Sequence, residues 1–113
     1  MTKDLIINQL FSERNTCEIL VYLHLFGPRS RTEIYHTIST NPRMPQKLDL
    51  LEELGLIKQC EKGANRKRMV MLTTTGTKFA ITLCSLERML GGSIDSFRWD
   101  VMISKLEEYD MTT

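Results

Sequence analysis

Basic and amide side chains gather in two short stretches of this sequence, and their chemistry is the binding of anions. The first stretch, residues 40–47, has no carboxylate and carries Thr40, Asn41, Arg43, Gln46 and Lys47. The second stretch surrounds Gly63 and carries Lys62, Asn65, Arg66, Lys67 and Arg68. Guanidinium and ammonium groups bind phosphate oxygens, and arginine and amide side chains also hydrogen-bond to the edges of bases. We expect both stretches to face an anionic partner.

The distribution of charge supports this expectation better than the net charge, which is only +1. Residues 28–68 hold nine Lys or Arg against five Asp or Glu, a balance of +4. Residues 1–27 hold two against three, and residues 69–113 hold four against six, so both ends of the chain are acidic. A basic middle between acidic ends is typical of a protein that binds nucleic acid through its middle segment.

Catalytic chemistry has no support in the sequence. No pattern of cysteines and carboxylates around His24 or His36 would form a metal site or a catalytic triad. Neither the G-x-x-x-x-G-K-[ST] motif nor the G-x-G-x-x-G motif occurs. We therefore expect a protein that is not an enzyme and that needs neither a cofactor nor a metal.

The cysteines and the hydropathy indicate the cellular compartment in which the protein is expected. Cys17, Cys60 and Cys84 are an odd, widely spaced set without a C-x-x-C pair, which favours half-buried thiols in the cytoplasm over a disulfide framework. Redox sensing by one thiol is the alternative. No apolar run reaches the roughly 20 residues of a membrane span, and we see no signal peptide. The seven methionines fit gaps in a core more readily than a pocket for a small-molecule effector.

Helical periodicity accounts for the first third of the chain. A short N-terminal helix is predicted from Leu5, Ile6, Leu10 and Phe11. Residues 12–26 predict a second helix whose apolar arc is wide enough to need covering from two sides. Its own core covers one side, and the C-terminal helices or a second subunit cover the other. Gly27-Pro28 ends this helix, and Ser30 with Glu33 predicts a capping box that opens a short helix to about Ile38.

The next helix is predicted over about residues 42–54, and Gly55 ends it. Pro42 and Pro45 belong to its approach or first turn, because proline deeper inside would break its hydrogen bonds. The period then changes to that of strands, and residues 57–73 predict a β-hairpin.

Two helices complete the predicted chain. One long helix runs to about Leu90 and is ended by Gly91-Gly92, and a last helix capped by Ser93 runs to about Tyr109. The order of helix, short helix, turn, helix, hairpin and helix is that of a winged helix domain. We expect a mainly α protein with a small β-hairpin wing, an α+β fold.

Two motifs carry a resemblance to a known group of proteins. Leu48-x-x-Leu51-x-x-x-Gly55-Leu56-Ile57 looks like the end of a recognition helix running into the wing, and Leu72-Thr73-x-x-Gly76 looks like the exit from the wing. Together with Gly27-Pro28, they resemble the MarR, PadR and HxlR groups of prokaryotic transcriptional regulators over about residues 12–90. The resemblance implies a double-stranded DNA partner.

A docking arrangement follows from the fold that this resemblance implies. A recognition helix enters the major groove by its N-terminal end, so Arg43, Gln46 and Lys47 would reach base edges while Thr40 and Asn41 bind phosphate. The resemblance also implies that a wing arginine enters the minor groove, and Arg66 is the match by position. Arg29 and Arg31, at the start of the short helix that Ser30 caps, are expected to contact the DNA backbone.

The last helix suggests a homodimer. It is predicted to be the dimerisation element because its apolar positions form two stripes: Phe97 and Val101 with Ile94, and Trp99, Met102, Ile103, Leu106 and Tyr109. The alternative is that this helix folds back onto the helix over residues 12–26 of its own chain. A two-fold partner would place two recognition helices about 34 Å apart, one turn of DNA.

These expectations divide the chain into a winged helix DNA-binding domain over residues 1–90 and a C-terminal helix over residues 91–113. The predicted function is that of a sequence-specific transcriptional regulator. The alternative function is a winged helix that binds other proteins and not DNA, whose complexes would lack the steep salt dependence of phosphate neutralisation.

Overall fold

The computed structural model describes residues 2–63 and 67–111, without the side chains of Lys62 and residues 107–111. Over these residues the chain forms helices and strands in an order that confirms the predicted winged helix. The elements are α1 (Ile6–Ser12), α2 (Thr16–Phe26), β1 (Arg29–Ser30), α3 (Arg31–Thr37), α4 (Met44–Glu53), β2 (Ile57–Lys62), β3 (Lys67–Leu72), α5 (Thr74–Met89) and α6 (Ile94–Met111).

Helix α2 lies at the centre of the core and begins four residues later than the periodicity predicts. Asn15 adopts the left-handed conformation (φ 73°), which separates α1 from α2. The buried Thr16 hydroxyl donates to the carbonyl oxygens of Leu10 at 2.8 Å and Glu13 at 3.2 Å, and so ties the two helices together. The wide apolar arc of α2 is covered mainly by α5, which packs along it.

Helix α3 begins as predicted. The Ser30 hydroxyl accepts from the backbone N–H of Glu33 at 3.2 Å, and the Glu33 carboxylate accepts from the backbone N–H of Ser30 at 3.4 Å. This reciprocal pair is the predicted capping box. The sequence did not predict β1, whose two residues pair with Val70 and Met69 of β3 in a three-stranded antiparallel sheet of order β1-β3-β2. Two residues are too few to show a strand period.

Helix α4 begins at Met44, with Pro45 in its first turn, and is followed by Gly55 at φ 79°. Its start is two residues later than predicted. Met44, Leu48 and Leu51 are almost fully buried and fix this helix on the core. The strands β2 and β3 pair from Ile57 with Leu72 to Lys62 with Lys67, close to the predicted hairpin.

The two motifs that carry the resemblance meet in space. The Thr73 hydroxyl accepts from the backbone N–H of Gly76 at 2.9 Å, which caps α5, and donates to the carbonyl of Gly55 at 2.6 Å. The backbone N–H of Thr73 donates to the carbonyl of Leu56 at 3.1 Å. A Cβ atom at position 76 would fall well inside van der Waals contact with that same Leu56 carbonyl, so only glycine fits there.

Helix α6 shows that the prediction for one apolar stripe is wrong. Val101 is only 5% exposed within one chain, and Ile94 and Phe97 pack against the same core. Helix α6 therefore folds back against α3 and α5, and it also reaches the end of α2. Its Lys105 ammonium lies 5.6 Å from the ring centre of Phe26, above the end of α2. In the part of the chain described, no helix combines the length and apolarity needed to cross a membrane.

Candidate nucleic-acid interface

The approach to α4 is shaped by a local side-chain turn. The Asn41 side-chain oxygen accepts from the backbone N–H of Arg43 at 2.8 Å, and the Asn41 carbonyl accepts from the backbone N–H of Met44 at 3.0 Å. This turn leaves Thr40, Asn41, Arg43 and Gln46 exposed together at the leading end of the helix. Four of the five side chains predicted for the recognition helix are thus available to a partner.

Lys47 is the exception, and its expected position at the surface is corrected by the structure. Its side chain is 4% exposed, and its ammonium donates to the Arg14 carbonyl at 2.8 Å. Lys47 lies three residues after Met44 and four before Leu51, on the buried stripe of α4. That spacing was visible in the sequence and would have predicted a buried position.

The carboxylates of α4 lie at its other end, where they bind to neighbouring elements. The Arg31 guanidinium lies 3.1 Å from an Asp49 carboxylate oxygen and donates to the Gln59 side-chain oxygen at 2.6 Å. The backbone N–H of Gln59, in β2, donates to Glu52 at 2.9 Å. These contacts join α3, α4 and β2, and they turn the acidic half of α4 toward the sheet.

The same contacts change the interpretation of Arg29 and Arg31. Side-chain exposure is only 17% for Arg31, whose guanidinium is held by Asp49. Arg29 is 26% exposed, lies 3.5 Å from the Glu33 carboxylate and donates to the Pro28 carbonyl at 2.8 Å. Both arginines stabilise the packing of α3 and are not presented to a partner as freely as the sequence suggested. Their contacts with a DNA backbone stay a prediction.

The leading end of α4 is not free of carboxylates in three dimensions. Glu13, in the connection between α1 and α2, lies 3.3 Å from the Arg43 guanidinium. Sequence reasoning missed this residue, because it is 30 positions away from its partner. The sequence of residues 40–47 contains no acid, but the fold supplies one.

The wing presents the remaining basic residues. Lys67 and Arg68 are exposed on β3, and Arg68 is paired in register with Glu61 of β2. Gly63, at φ 83°, begins the turn between the strands. Asn65 and Arg66 lie outside the described residues, as does the side chain of Lys62. Their predicted contacts therefore stay predictions.

A second surface is apolar and exposed. On α6, Trp99 is 62% exposed, Leu106 63% and Met102 44%, while Ile103 is half-buried. The side chain of Tyr109 lies outside the described residues. Further exposed apolar side chains lie on α1 and at the end of α5, namely Leu5, Ile6, Phe11, Leu86, Met89 and Leu90. This many exposed apolar side chains are typical of a surface that binds another protein chain.

Two of the thiols, Cys17 and Cys84, lie in surroundings that raise their pKa. Burial raises the pKa of Cys17, and the nearby Glu18 carboxylate acts in the same direction. Burial also raises the pKa of Cys84. A reactive cysteine needs the opposite, a thiolate stabilised by positive charge. Among the described residues, no group of three His, Cys, Asp or Glu side chains could hold a metal ion.

Comparisons with solved structures agree with the fold. A structure of reduced AbfR bound to DNA matches with a TM-score of 0.56 over 90% of this chain and 77% of that chain, at 16% identity. A structure of disulfide-formed AbfR matches with a TM-score of 0.53 over 69% of this chain, at 20% identity, and this chain spans 60% of that one. No family model and no curated protein matches the sequence. The chain has the α+β winged helix fold that these two structures share.

Proposed function

We propose that the protein is a sequence-specific, double-stranded DNA-binding transcriptional regulator that acts as a homodimer and not as an enzyme. The observation that carries this proposal is the polarity of α4. Its leading end exposes Arg43 and Gln46 beside Thr40 and Asn41, while Asp49 and Glu52 are held at the sheet. A helix of this polarity approaches phosphates with the end that has no carboxylate of its own, and Arg43 at that end can exchange Glu13 for the DNA.

In the proposed complex, α4 enters the major groove and the wing lies in the adjacent minor groove. Arg43 and Gln46 hydrogen-bond to base edges, for which their planar side chains are suited. Lys67 and Arg68, with Lys62, Asn65 and Arg66 from the sequence, bind the walls of the minor groove. The arrangement requires the leading end of α4 and the wing to share one face.

The comparison adds support of a different kind. One of the two structures of the same fold, that of reduced AbfR, is bound to DNA. The assignment to the MarR, PadR or HxlR groups rests on the two motifs alone and stays a prediction. A cytoplasmic location stays the expectation from the cysteine content.

The dimer is proposed to form through the apolar surface of α6, together with α1 and the end of α5. Trp99, Met102 and Leu106 are its exposed members on α6, whereas Val101 is already covered within one chain. Burying such side chains against a second copy removes apolar area from water at about 25 cal/mol per Å². The two-fold axis would then set the separation of the two α4 helices.

The test is direct binding of the purified protein to duplex DNA as a function of salt. Duplexes that bind the protein are first selected from a random pool. Fluorescence anisotropy then measures the affinity for the selected duplexes between about 50 and 300 mM salt. A dimer that neutralises about six phosphates gives a slope of about −5 in log K against log salt. Failure to bind any duplex at low salt would remove the proposal and favour a protein-binding winged helix.

Two variants test the docking arrangement. Gln46→Ala is expected to relax the base preference at one position of the selected sites, because Gln46 would read a base edge. Arg68→Ala is expected to weaken binding evenly across sequences and to flatten the salt slope. Lys78→Ala, in the first half of α5 and outside both proposed surfaces, is the control and should change neither quantity. Unchanged affinity and preference in both variants would show that α4 and the wing do not form the interface.

A further inference from the structure

The connection between α1 and α2 touches the start of α4 at two points. The Lys47 ammonium donates to the Arg14 carbonyl at 2.8 Å, and the Arg43 guanidinium lies 3.3 Å from the Glu13 carboxylate. Residues 13–15 therefore lie beside the first two turns of α4, although they are some 30 positions away in the sequence. No sequence pattern had assigned these residues to the interface.

The Lys47 contact fixes the backbone of this connection. Lys47 is only 4% exposed, and a buried ammonium group is stable only when it is hydrogen-bonded, so its bond to the Arg14 carbonyl has to be kept. Asn15 follows in the left-handed conformation, which turns the chain into α2. The Arg14 carbonyl is thus held toward the core, whereas the residue itself is exposed.

The Arg14 side chain differs from the other arginines around α4. Among the described residues, carboxylate partners lie within 4 Å of Arg29, Arg31 and Arg43, but none lies within that distance of Arg14. Arg14 is exposed, and its backbone lies beside α4 through the contact with Lys47. An arginine at the border of a helix that enters the major groove meets the phosphates that flank this groove.

We propose that Arg14 is an additional phosphate-binding residue, and that Lys47 is the positioning residue that holds it beside α4. The proposal rests on the proposed DNA-binding function and deepens it, since it adds the connection between α1 and α2 to the interface. It also reverses the role expected for Lys47, whose charge acts inside the protein and not on the DNA.

The first experiment uses the full chain carrying Arg14→Ala and a duplex selected with the wild-type protein. Affinity at low salt is expected to fall roughly three- to tenfold for all duplexes alike, and the salt slope to shrink by about 0.9 for each phosphate that is no longer neutralised. Arg14→Lys should retain most of the slope. Lys78→Ala removes an exposed cation in the first half of α5 that belongs to neither proposed surface, and this control should retain all of the slope.

The second experiment separates positioning from direct binding. Lys47→Met keeps the apolar stem and removes the ammonium, and it is expected to weaken binding as much as Arg14→Ala does. The double variant should bind no more weakly than either single variant, because both changes remove the same interaction with phosphate. Additive effects would instead show that Lys47 binds phosphate directly. A thermal melt establishes that each variant is folded, and Lys47→Gln replaces Lys47→Met should the latter unfold.

The outcomes distinguish this proposal from the function on which it rests. A wild-type protein that binds no duplex refutes the function itself. A wild-type protein that binds with a steep salt slope, while Arg14→Ala binds with the same affinity and slope, overturns only the role of Arg14.

Discussion

The ion pair between Glu13 and Arg43 is expected to stabilise the fold and to weaken DNA binding. The variant Glu13→Gln allows both effects to be measured. The Arg43 guanidinium lies 3.3 Å from the Glu13 carboxylate, and the side chains of Arg43 and Glu13 are 68% and 28% exposed. Before Arg43 can reach a base edge, this ion pair has to be broken or shared. The carboxylate also repels the phosphates that approach the leading end of α4.

The magnitude follows from the exposure of the pair. An ion pair that is this open to water contributes about 0.2–1 kcal/mol, because solvent screens the charges. Glu13→Gln is therefore expected to lower the free energy of unfolding by no more than about 1 kcal/mol. The same energy becomes available on binding, so affinity for duplex DNA should rise by a factor of about 1.4 to 5.

Two measurements on one variant check this reasoning. Denaturant unfolding gives the stability change, and fluorescence anisotropy at about 100 mM salt gives the affinity change. Glu18→Gln, an exposed glutamate of α2, removes the same charge outside α4 and corrects for the change in net charge. Glu13→Gln binding no more tightly than Glu18→Gln would show that Arg43 does not leave Glu13 to bind DNA.

Three further predictions concern the fold, the dimer and the thiols. Gly76→Ala is expected to destabilise the protein by on the order of 2–3 kcal/mol, since the new methyl group collides with the Leu56 carbonyl; denaturant unfolding measures this change. Trp99→Glu should shift the mass measured by light scattering from twice 13.1 kDa to 13.1 kDa, because a charge on the apolar face of α6 opposes its burial. Cys17 should react with iodoacetamide near neutral pH more slowly than free cysteine, because burial and the Glu18 carboxylate raise its pKa. The stability that this raised pKa contributes is present below the ordinary thiol pKa and is lost as the pH rises through the raised value.

Each of these predictions has a matched control. Thr75→Ala lies in the same first turn of α5 as Gly76, is exposed, and should leave stability nearly unchanged. Ser104→Glu adds the same charge to α6 at another exposed position, and it should leave the mass of the dimer as it is. Equal reactivity of the folded and urea-unfolded protein toward iodoacetamide would contradict the expected protection of Cys17.

Local interactions were readable from the sequence, and contacts between distant segments were not. Ser30 and Glu33 are three residues apart, so their capping box could be predicted with its partners. Lys47 and Arg14 are separated by 33 positions, and no sequence pattern predicts that the Lys47 side chain contacts the backbone of Arg14. The burial of Lys47, by contrast, follows from helical spacing and could have been predicted.

Periodicity showed which side chains of α6 are apolar but could not show what covers them. Val101 and Trp99 are two positions apart and equally suited to burial, yet Val101 packs on its own core and Trp99 stays exposed. The difference arises from the angle at which α6 returns after Gly91-Gly92, which depends on tertiary packing. The sequence therefore predicted an interface surface larger than the one that the fold leaves open.

The junction of Gly55, Leu56, Thr73 and Gly76 has a mechanical consequence. There Thr73, which caps α5, is hydrogen-bonded to Gly55 and Leu56, the two residues between α4 and β2. The space between Gly76 and the Leu56 carbonyl is too small for a methyl group. Because this contact is close-packed and hydrogen-bonded, a tilt of α5 is expected to move the C-terminal end of α4 as well. A partner that displaces the far end of α5, at Met89 and Leu90, would consequently change the orientation of α4, the helix that is proposed to face DNA.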